Sequence, residues 1–433
     1  MTERVPCRNE GCKAMILPAT ALKTGGTCMP CQQEKARRER QAYIGQHRRY
    51  VDLYEGINDP VEILKIKHGP RTYDPLIQYT PYPLNKEQLY VSLSEQETER
   101  MESYALELLL EGDEERGQDI LESLVCFSNK KVESCLPELV RRELFTAGIL
   151  YKDAPSEIRD QLLERVETDP DNRNHLLLAL AWIGDERVVE QFNTWRLTSP
   201  HWAKELYVLP ERYTHEAGWE LTEAGERRNL FHEHIYAIER IPGVLNRSRD
   251  TEDPAQFLMV SSRHCPWCGG RLTALLNLET AHPSIIEMEL AGERLKLESC
   301  VNCSCYGIMY MDLDVQGEPR FSVHNEKPDY LEDIAPEEDG DEFLSAGREL
   351  FCSVQPRNGY HAVQWTLDPA VSQIGGHPTW VQDAEYPPCP CCSRPMRFVA
   401  QLDRAQLEDY GEGIYYMFIC AKDRITATTY QQS

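Results

Sequence analysis

Cysteine spacing constrains this chain more than any other feature. Cys7, Cys12, Cys28 and Cys31 read C-x4-C-x15-C-x2-C, and Cys265, Cys268, Cys300 and Cys303 read C-x2-C-x31-C-x2-C. A tetrahedral Zn²⁺ takes four soft ligands, and a close cysteine pair on a tight turn supplies two of them. Two such turns brought together by folding complete one site. The spacing therefore predicts two structural zinc sites.

The remaining cysteines are uneven. Twelve of the sixteen fall in three clusters, which leaves Cys126, Cys135, Cys352 and Cys420 apart. Cys126 and Cys135 lie in helical text and read as small buried hydrophobes. The opening MTERVPCRNEGCKAM lacks the apolar core of a signal peptide. No run approaches the roughly 20 apolar residues that span a bilayer. Reduced thiols, a cytoplasmic location and no membrane contact are the expectation.

The charge balance limits partners. The 46 Lys and Arg face 71 Asp and Glu, a formal net charge of −25. A field of that sign disfavours nucleic acid and anionic membrane and favours basic proteins. One segment runs against it: KARRERQAYIGQHRR, from Lys35 to Arg49, with Arg37, Arg38, Arg40 and Arg48 between. A basic helix beside a zinc turn can touch phosphates. It can equally be a solvated face paired with acidic residues.

The 433 residues suit roughly two to four domains, and the text predicts an α+β, multi-domain fold. Residues 1–50 read as a zinc knuckle, a short hairpin and then Cys28-Met-Pro-Cys31 opening a polar helix, an order similar to a treble clef. Residues 51–95 are rich in Pro and Tyr and read as an extended connector. Residues 96–250 are helical: Glu97–Phe127 interrupted near Gly112, then Leu136–Leu150, Ser156–Glu167 and Asn172–Trp182. An apolar helix ending at Gly184 and an amphipathic one beginning near Arg187 resemble one unit of a HEAT-like repeat, or a pair within an irregular bundle. Residues 251–433 turn strand-like, with a zinc-ribbon arrangement in which Cys305 either competes with Cys303 or stands spare. Residues 329–342 form an acidic loop.

The last quarter carries a family signal. Gly375-Gly-His-Pro-Thr-Trp380 is followed by Cys389-Pro-Cys391-Cys392, by Pro395-Met-Arg-Phe398-Val-Ala-Gln401, and by Gly413-Ile-Tyr-Tyr-Met-Phe-Ile-Cys420. Across roughly residues 370–433 this resembles the bacterial YwqG-like domain in a metal-knuckle variant. The resemblance implies a second C-x2-C after the Met-Phe strand. Here that place reads Cys420-Ala-Lys-Asp423, so Cys389, Cys392, Cys420 and Asp423 form a candidate third site, with Cys391 or Cys352 as substitute ligands. A carboxylate is an acceptable zinc ligand.

No catalytic constellation stands out. The chain has no G-x-S-x-G elbow, P-loop or dinucleotide fingerprint. His232-Glu-His234 reads as helical, where positions i and i+2 point apart. His264 and His377 read as turn residues or supports. The resemblance implies an immunity protein that neutralises a cognate toxin. The lack of a catalytic constellation predicts a non-enzymatic inhibitor that covers the toxin's active site, the acidic charge predicts a basic toxin, and a monomer is expected. Glu337, Glu338, Asp339 and Asp341 are its candidate contacts. A zinc-ribbon protein associated with nucleic acid or transcription is the alternative.

Overall fold

The computed structural model describes residues 4–244, 254–329, 331 and 341–432. The chain divides into two units, Met1–Leu89 and Tyr90–Ser433.

Proline and glycine punctuate the first unit. Strand β1 (Val5–Pro6) pairs antiparallel with β2 (Met15–Ile16). Helix α1 (Pro18–Thr24) has proline in its first turn and stops at Gly25, whose φ is +63°. Helix α2 (Met29–His47) follows, with Cys28 at its N-cap. The hairpin expected between the two cysteine pairs is therefore a helix, because Pro18 and Gly25 bracket a helix-forming PATALKT run. The supposed connector is also structured. It holds β3 (Arg49–Val51), α3 (Pro60–His68) and β4 (Ile77–Tyr79), with β3 and β4 parallel, and then α4 (Lys86–Ser92) begins. Asp59 caps α3 by accepting the Val61 N–H at 3.0 Å, and Val61, Ile63 and Leu64 are buried. A helix of nine residues is too short to show its period in a Pro-rich text.

Helices open the second unit. In α5 (Glu95–Glu111) Ser94 and Glu97 form a reciprocal capping box, and Gly112 at φ +93° ends the helix. Then come α6 (Glu114–Ser128), α7 (Leu136–Arg141), α8 (Ser156–Thr168), α9 (Arg173–Ile183) and α10 (Glu186–Thr198). Gly184 turns the chain at φ +52°, and Asp185 caps α10 through the Val188 N–H at 2.9 Å. The expected α7 stops at Arg141, and a 3₁₀ turn covers Gly148–Tyr151. Cys126 and Cys135 are fully buried, as small apolar residues would be.

Strands follow: β5 (Trp219–Leu221), β6 (Arg227–Asn229), β7 (His232–Arg240), β8 (Ala255–His264), β9 (Arg271–Glu279), β10 (Arg294–Ser299), β11 (Met309–Leu313) and β12 (Pro319–Phe321). Helix α11 (Asp341–Ala346) precedes β13 (Leu350–Cys352), β14 (Arg357–Asn358), β15 (Gln373–Gly376), β16 (Arg397–Asp403), β17 (Ile414–Cys420) and β18 (Ile425–Gln431). A nine-stranded sheet runs β12-β11-β18-β17-β16-β15-β7-β13, with β14 also on β7. A second sheet runs β10-β9-β8.

Strand β17 reads as one apolar run because both its faces are buried. Tyr415, Met417 and Ile419 join a core with Leu276, Leu278, Leu295 and Leu297 of the smaller sheet. Tyr416 and Phe418 join Phe231, Trp380, Tyr386 and Phe398 on the other face.

The His232-Glu-His234 segment is a correction. It opens β7, the strand of the large sheet next to the β13–β14 edge, not a helix. Residues i and i+2 on a strand share a side, and the two imidazole rings lie 5.7 Å apart. Helices and sheet also interlock within this unit. Trp219 donates its indole N–H to the Ala181 carbonyl at 2.8 Å, and Asn358 donates to the Cys126 carbonyl at 2.8 Å. Glu337, Glu338 and Asp339 lie outside the described residues. Asp341 opens α11, and its side chain is likewise outside them.

The paired C-terminal motif has a packing role. Thr379 N–H donates to Gln401 Oε1 at 2.9 Å, and Gln401 Nε2 returns a bond to Thr379 Oγ1 at 2.8 Å. Gly376 sits at a bulge against β7 with φ +69°, and a Cβ there would stand 2.0 Å from Ile235 Cγ1. Gly376→Ala is expected to cost at least about 2 kcal/mol, from overlap and left-handed strain together. Gly45→Ala, in α2 with open space around it, is expected to leave the melting temperature unchanged or raise it. Thermal unfolding of both variants checks this.

A second prediction concerns pH. Burial lifts the Glu216 carboxyl from 4.5 to about 7, while its Oε1 accepts the Ala384 N–H at 2.7 Å. The folded state thus favours the protonated acid. Its stabilising contribution is complete below pH 4.5 and is lost as pH rises through about 7. Glu216→Gln should therefore raise the melting temperature by a few degrees at pH ~8, at ~2–4 °C per kcal/mol, and change little at pH ~4. Equal shifts at both pH values would overturn the assignment.

Candidate metal centres

Three sets of ligand atoms converge: Cys7, Cys12, Cys28 and Cys31; Cys265, Cys268, Cys300 and Cys303; and Cys389, Cys392, Cys420 and Asp423. Within each set every ligand atom lies within 4.8 Å of the others. No disulfide joins any of the sixteen cysteines.

The separations identify what the sets are built to hold. Sulfur pairs stand at 3.7 Å (Cys12 and Cys28), 3.8 Å (Cys265 and Cys303), 3.5 Å (Cys268 and Cys300) and 3.8 Å (Cys392 and Cys420). A disulfide would bring them to about 2.0 Å. A tetrahedron with metal–sulfur bonds of about 2.3 Å has an edge near ~3.8 Å. The sets are spaced for a tetrahedral cation.

In the first centre, the β1–β2 pair brackets the Cys7–Cys12 turn. Cys7 N–H bonds the Ala14 carbonyl at 2.9 Å, and Gly11 turns the chain at φ +80°. Cys28 caps α2 and Cys31 lies in its first turn, where the positive end of the helix dipole favours thiolate. The Cys28 N–H points at Cys7 Sγ (3.2 Å), as does that of Asn9 (3.5 Å). These donors, Cys28 first, lower the Cys7 thiol to about 7. Asn9 also donates its side-chain amide to Cys31 Sγ at 3.2 Å. Among the described residues the core of this module is buried Cys7, Ile16 and Cys28 with Cys12, Ala14, Ala21 and Cys31 packed against them, so a metal at the centre would hold it together.

The second centre hangs from the three-stranded sheet. Cys265 and Cys268 fill the β8–β9 turn, where Gly269 takes φ +75° and Cys265 N–H bonds the Gly270 carbonyl at 2.8 Å. Trp267 N–H and Gly270 N–H point at Cys265 and Cys268 sulfurs, each at 3.4 Å. Cys300 and Cys303 follow β10. The thiols of Cys300 and Cys303, then the backbone donors, pull the Cys265 thiol well below its usual range. Leu272, Met309 and Met311 pack around the sulfurs. Cys303 is the residue that joins this set. Cys305 is exposed and donates to the Asn302 carbonyl at 3.1 Å.

The third centre repeats the same turn with different residues. Cys389 N–H bonds the Arg394 carbonyl at 2.8 Å, and Ser393 N–H bonds the Cys389 carbonyl at 2.8 Å. Ser393 takes φ +58°, the place Gly269 holds in the second centre at φ +75°. The β17–β18 turn ends Cys420-Ala-Lys-Asp423 with Arg424 at φ +53°. Asp423 therefore occupies the second position of a cysteine-type turn. Its Oδ2 lies 3.2 Å from Cys389 Sγ and 3.3 Å from Cys420 Sγ. The thiols of Cys392, Cys389 and Cys420 hold its carboxyl below the usual range. Neither substitute ligand joins the set. Cys391 is exposed with its sulfur 3.7 Å from His324 Nε2, and Cys352 lies on β13 with its sulfur 3.6 Å from the Ser353 carbonyl.

The two candidate histidines stand apart from these sets. His264 is exposed at the end of β8. His377 is buried, its ring nitrogens 2.8 Å from the Pro378 carbonyl and 2.9 Å from the Glu216 carbonyl. Among the described residues no helix is long and apolar enough to cross a membrane.

No family model matches the chain, and no solved structure matches it. A Salmonella typhimurium protein described as the uncharacterized protein YpfL does. It is 39% identical over 442 aligned residues, covering 100% of each chain. The chain belongs to the YpfL family. The YpfL relative carries no assigned chemistry in its description, so the site residues must speak for themselves.

Metal analysis of the purified chain is expected to give three ions. Cys268→Ser or Cys300→Ser should remove one and unfold the β8–β10 ribbon, since a structural zinc contributes on the order of 10–16 kcal/mol in finger peptides. Asp423→Ala should also remove one, whereas Asp423→Cys should keep it. Cys305→Ser and Cys391→Ser should remove none. Loss of an ion from either of these last two would mean that a wrong ligand had been assigned.

Proposed function

We propose that this YpfL-family chain is a non-enzymatic, cytoplasmic binding protein whose three centres hold structural zinc, and that it acts as an immunity protein. One observation carries the reading: each candidate centre is filled by four side chains of the chain itself. A catalytic zinc keeps one position open for water or substrate, and a filled tetrad keeps none. Zinc suits the donor sets, because four thiolates, or three and a carboxylate, in a tetrahedron favour it over harder cations.

The kind of partner follows from charge. With 71 acidic residues against 46 basic ones, the chain steers basic proteins toward itself. A rigid, metal-stapled surface lowers the entropic cost of binding. The YwqG-like resemblance of residues 370–433 supports an inhibitor of a basic toxin, with the acidic stretch around Glu337–Asp341 as the contact. The metal-knuckle variant of that domain implies cysteines at the four ligand positions; Cys389, Cys392 and Cys420 match it, and Asp423 departs from it with a carboxylate that zinc accepts.

The test is capture of the tagged, zinc-loaded chain from its native bacterium, followed by co-expression. The expected partner is a single stoichiometric basic protein whose lethality the chain cancels. Rescue should fail when Glu337, Glu338, Asp339 and Asp341 are changed to lysine. Zinc-dependent turnover of a small molecule, or rescue that survives the charge reversal, would overturn the reading.

A further inference from the structure

Charge is segregated along the chain. Residues 1–50 hold ten Lys and Arg against four Asp and Glu, in a protein whose net charge is −25. Helix α2 lies in this basic part. It runs 19 residues, about 28 Å, and buries none of them. A helix that is polar all round is stable only with support, from i,i+4 pairs along its surface or from another body that it bridges to.

The side chains of α2 sort onto two faces. At 100° per residue Arg37, Arg40, Tyr43, Ile44 and His47 fall within one stripe, which runs on to Arg48 at the C-cap. The opposite side carries the internal pairs: Arg38 with Glu34 at 2.9 Å, and Lys35 with Glu39 at 3.8 Å. On the stripe Arg37 also touches Glu34, at 2.8 Å, yet two-thirds of its side chain remains exposed (66%). Arg40 and Arg49 are exposed, and no ion pair involves them among the described residues. The aromatic members are exposed too. Tyr43 stacks on His47 with ring centroids 4.1 Å apart, and Tyr50 follows Arg49 on β3, 71% exposed.

We propose that this stripe binds the phosphodiester backbone of a nucleic acid, with Arg37, Arg40, Arg48 and Arg49 on phosphates and Tyr43 available to stack on an unpaired base. Arginine forks match phosphate oxygens, and exposed rings among them suit bases. An anionic bilayer also attracts arginines, but it selects a helix with an apolar face to bury. The stripe offers only Tyr43 and the half-buried Ile44. The acidic remainder weakens this attraction only within about 8 Å at physiological salt, the screening length. This site is separate from the toxin-binding reading above, and either can fail alone.

The experiment uses the full zinc-loaded chain and fluorescent 20-mers as duplex DNA, duplex RNA and single-stranded DNA, read by anisotropy from ~50 to ~200 mM salt. Four phosphate contacts predict micromolar binding at low salt, with affinity falling as roughly the fourth power of salt concentration for a duplex. Arg37→Gln with Arg40→Gln should weaken binding about tenfold or more and flatten the salt slope by about two. Lys35→Gln with Arg38→Gln, on the opposite face, should change it less than threefold. Tyr43→Ala should weaken the single strand about tenfold and the duplexes little, and equal effects on both would remove the stacking role. Each variant must keep its three metal ions and its α-helical signal. No binding at ~50 mM salt, equal losses from the two faces, or binding only to phosphatidylserine vesicles would overturn the proposal.

Discussion

Hydrogen bonds from backbone N–H groups to cysteine sulfur set the rest of this structure. A thiolate is a poor occupant of a protein interior unless donors surround it. Each centre meets that need locally. Asn9 and Cys28 serve Cys7, and Trp267 and Gly270 serve Cys265 and Cys268. In the first centre the donors come from the turn that holds Gly11 and from the N-cap of α2, and at three turns of the other two centres a residue in the left-handed region stands just after the pair. Gly269, Ser393 and Arg424 take that conformation. The turn therefore comes first, and the tetrads follow when two turns meet.

Between the turns, the large sheet answers a different constraint. Its strands β16 and β17 are buried on both faces, so they carry almost unbroken apolar text, and their polar members must be satisfied inside. Gln401 does this by bonding Thr379 and the Val371 carbonyl. Gln373 bonds the carbonyls of Gly375 and His377. In this chain these bonds tie the Gly375–Trp380 segment to the Met396–Gln401 segment. The first segment brings the Thr379 bonding groups to the glutamine that needs them.

Much of this was legible in the sequence, for physical reasons that differ by region. Helices α5, α6, α9 and α10 announce themselves through their apolar periodicity and the breaks at Gly112 and Gly184, which are local events, while the caps at Ser94 and Asp185 emerge only in the fold. The eight cysteines of the first two tetrads were legible from their spacing, which turn geometry fixes, whereas the third set came from the YwqG-like resemblance with Cys391 and Cys352 left open, and the fold brings Asp423 to the fourth place. The His232-Glu-His234 strand was not, since three residues carry no period and β7 pairs only with strands more than a hundred residues later. Residues 51–95 hid α3 because its nine residues bury a face whose period proline interrupts at both ends. The exclusion of Cys305 also needed coordinates. It depends on a 3₁₀ turn at Ser304–Tyr306 that carries the thiol outward.

The second and third centres are mechanically joined. Strand β11 begins six residues after Cys303 and pairs with β18 from Met309↔Thr428 to Asp312↔Ile425. Strand β18 in turn begins two residues after Asp423. The Leu313 N–H extends the ladder to the Arg424 carbonyl at 2.8 Å, in the turn that presents Asp423. Tyr310, in the middle of β11, donates its hydroxyl to the Pro388 carbonyl at 2.9 Å, beside Cys389. One centre thus fixes the start of β11, and the other grips its far end and its exposed side. A ladder pinned at both ends frays only if a pin is lost, since the end residues of an unpinned strand open first. Metal at either centre then stabilises β11 and β18 together. A carboxylate at Asp423 costs the fold little, because the turn is already closed by the sheet.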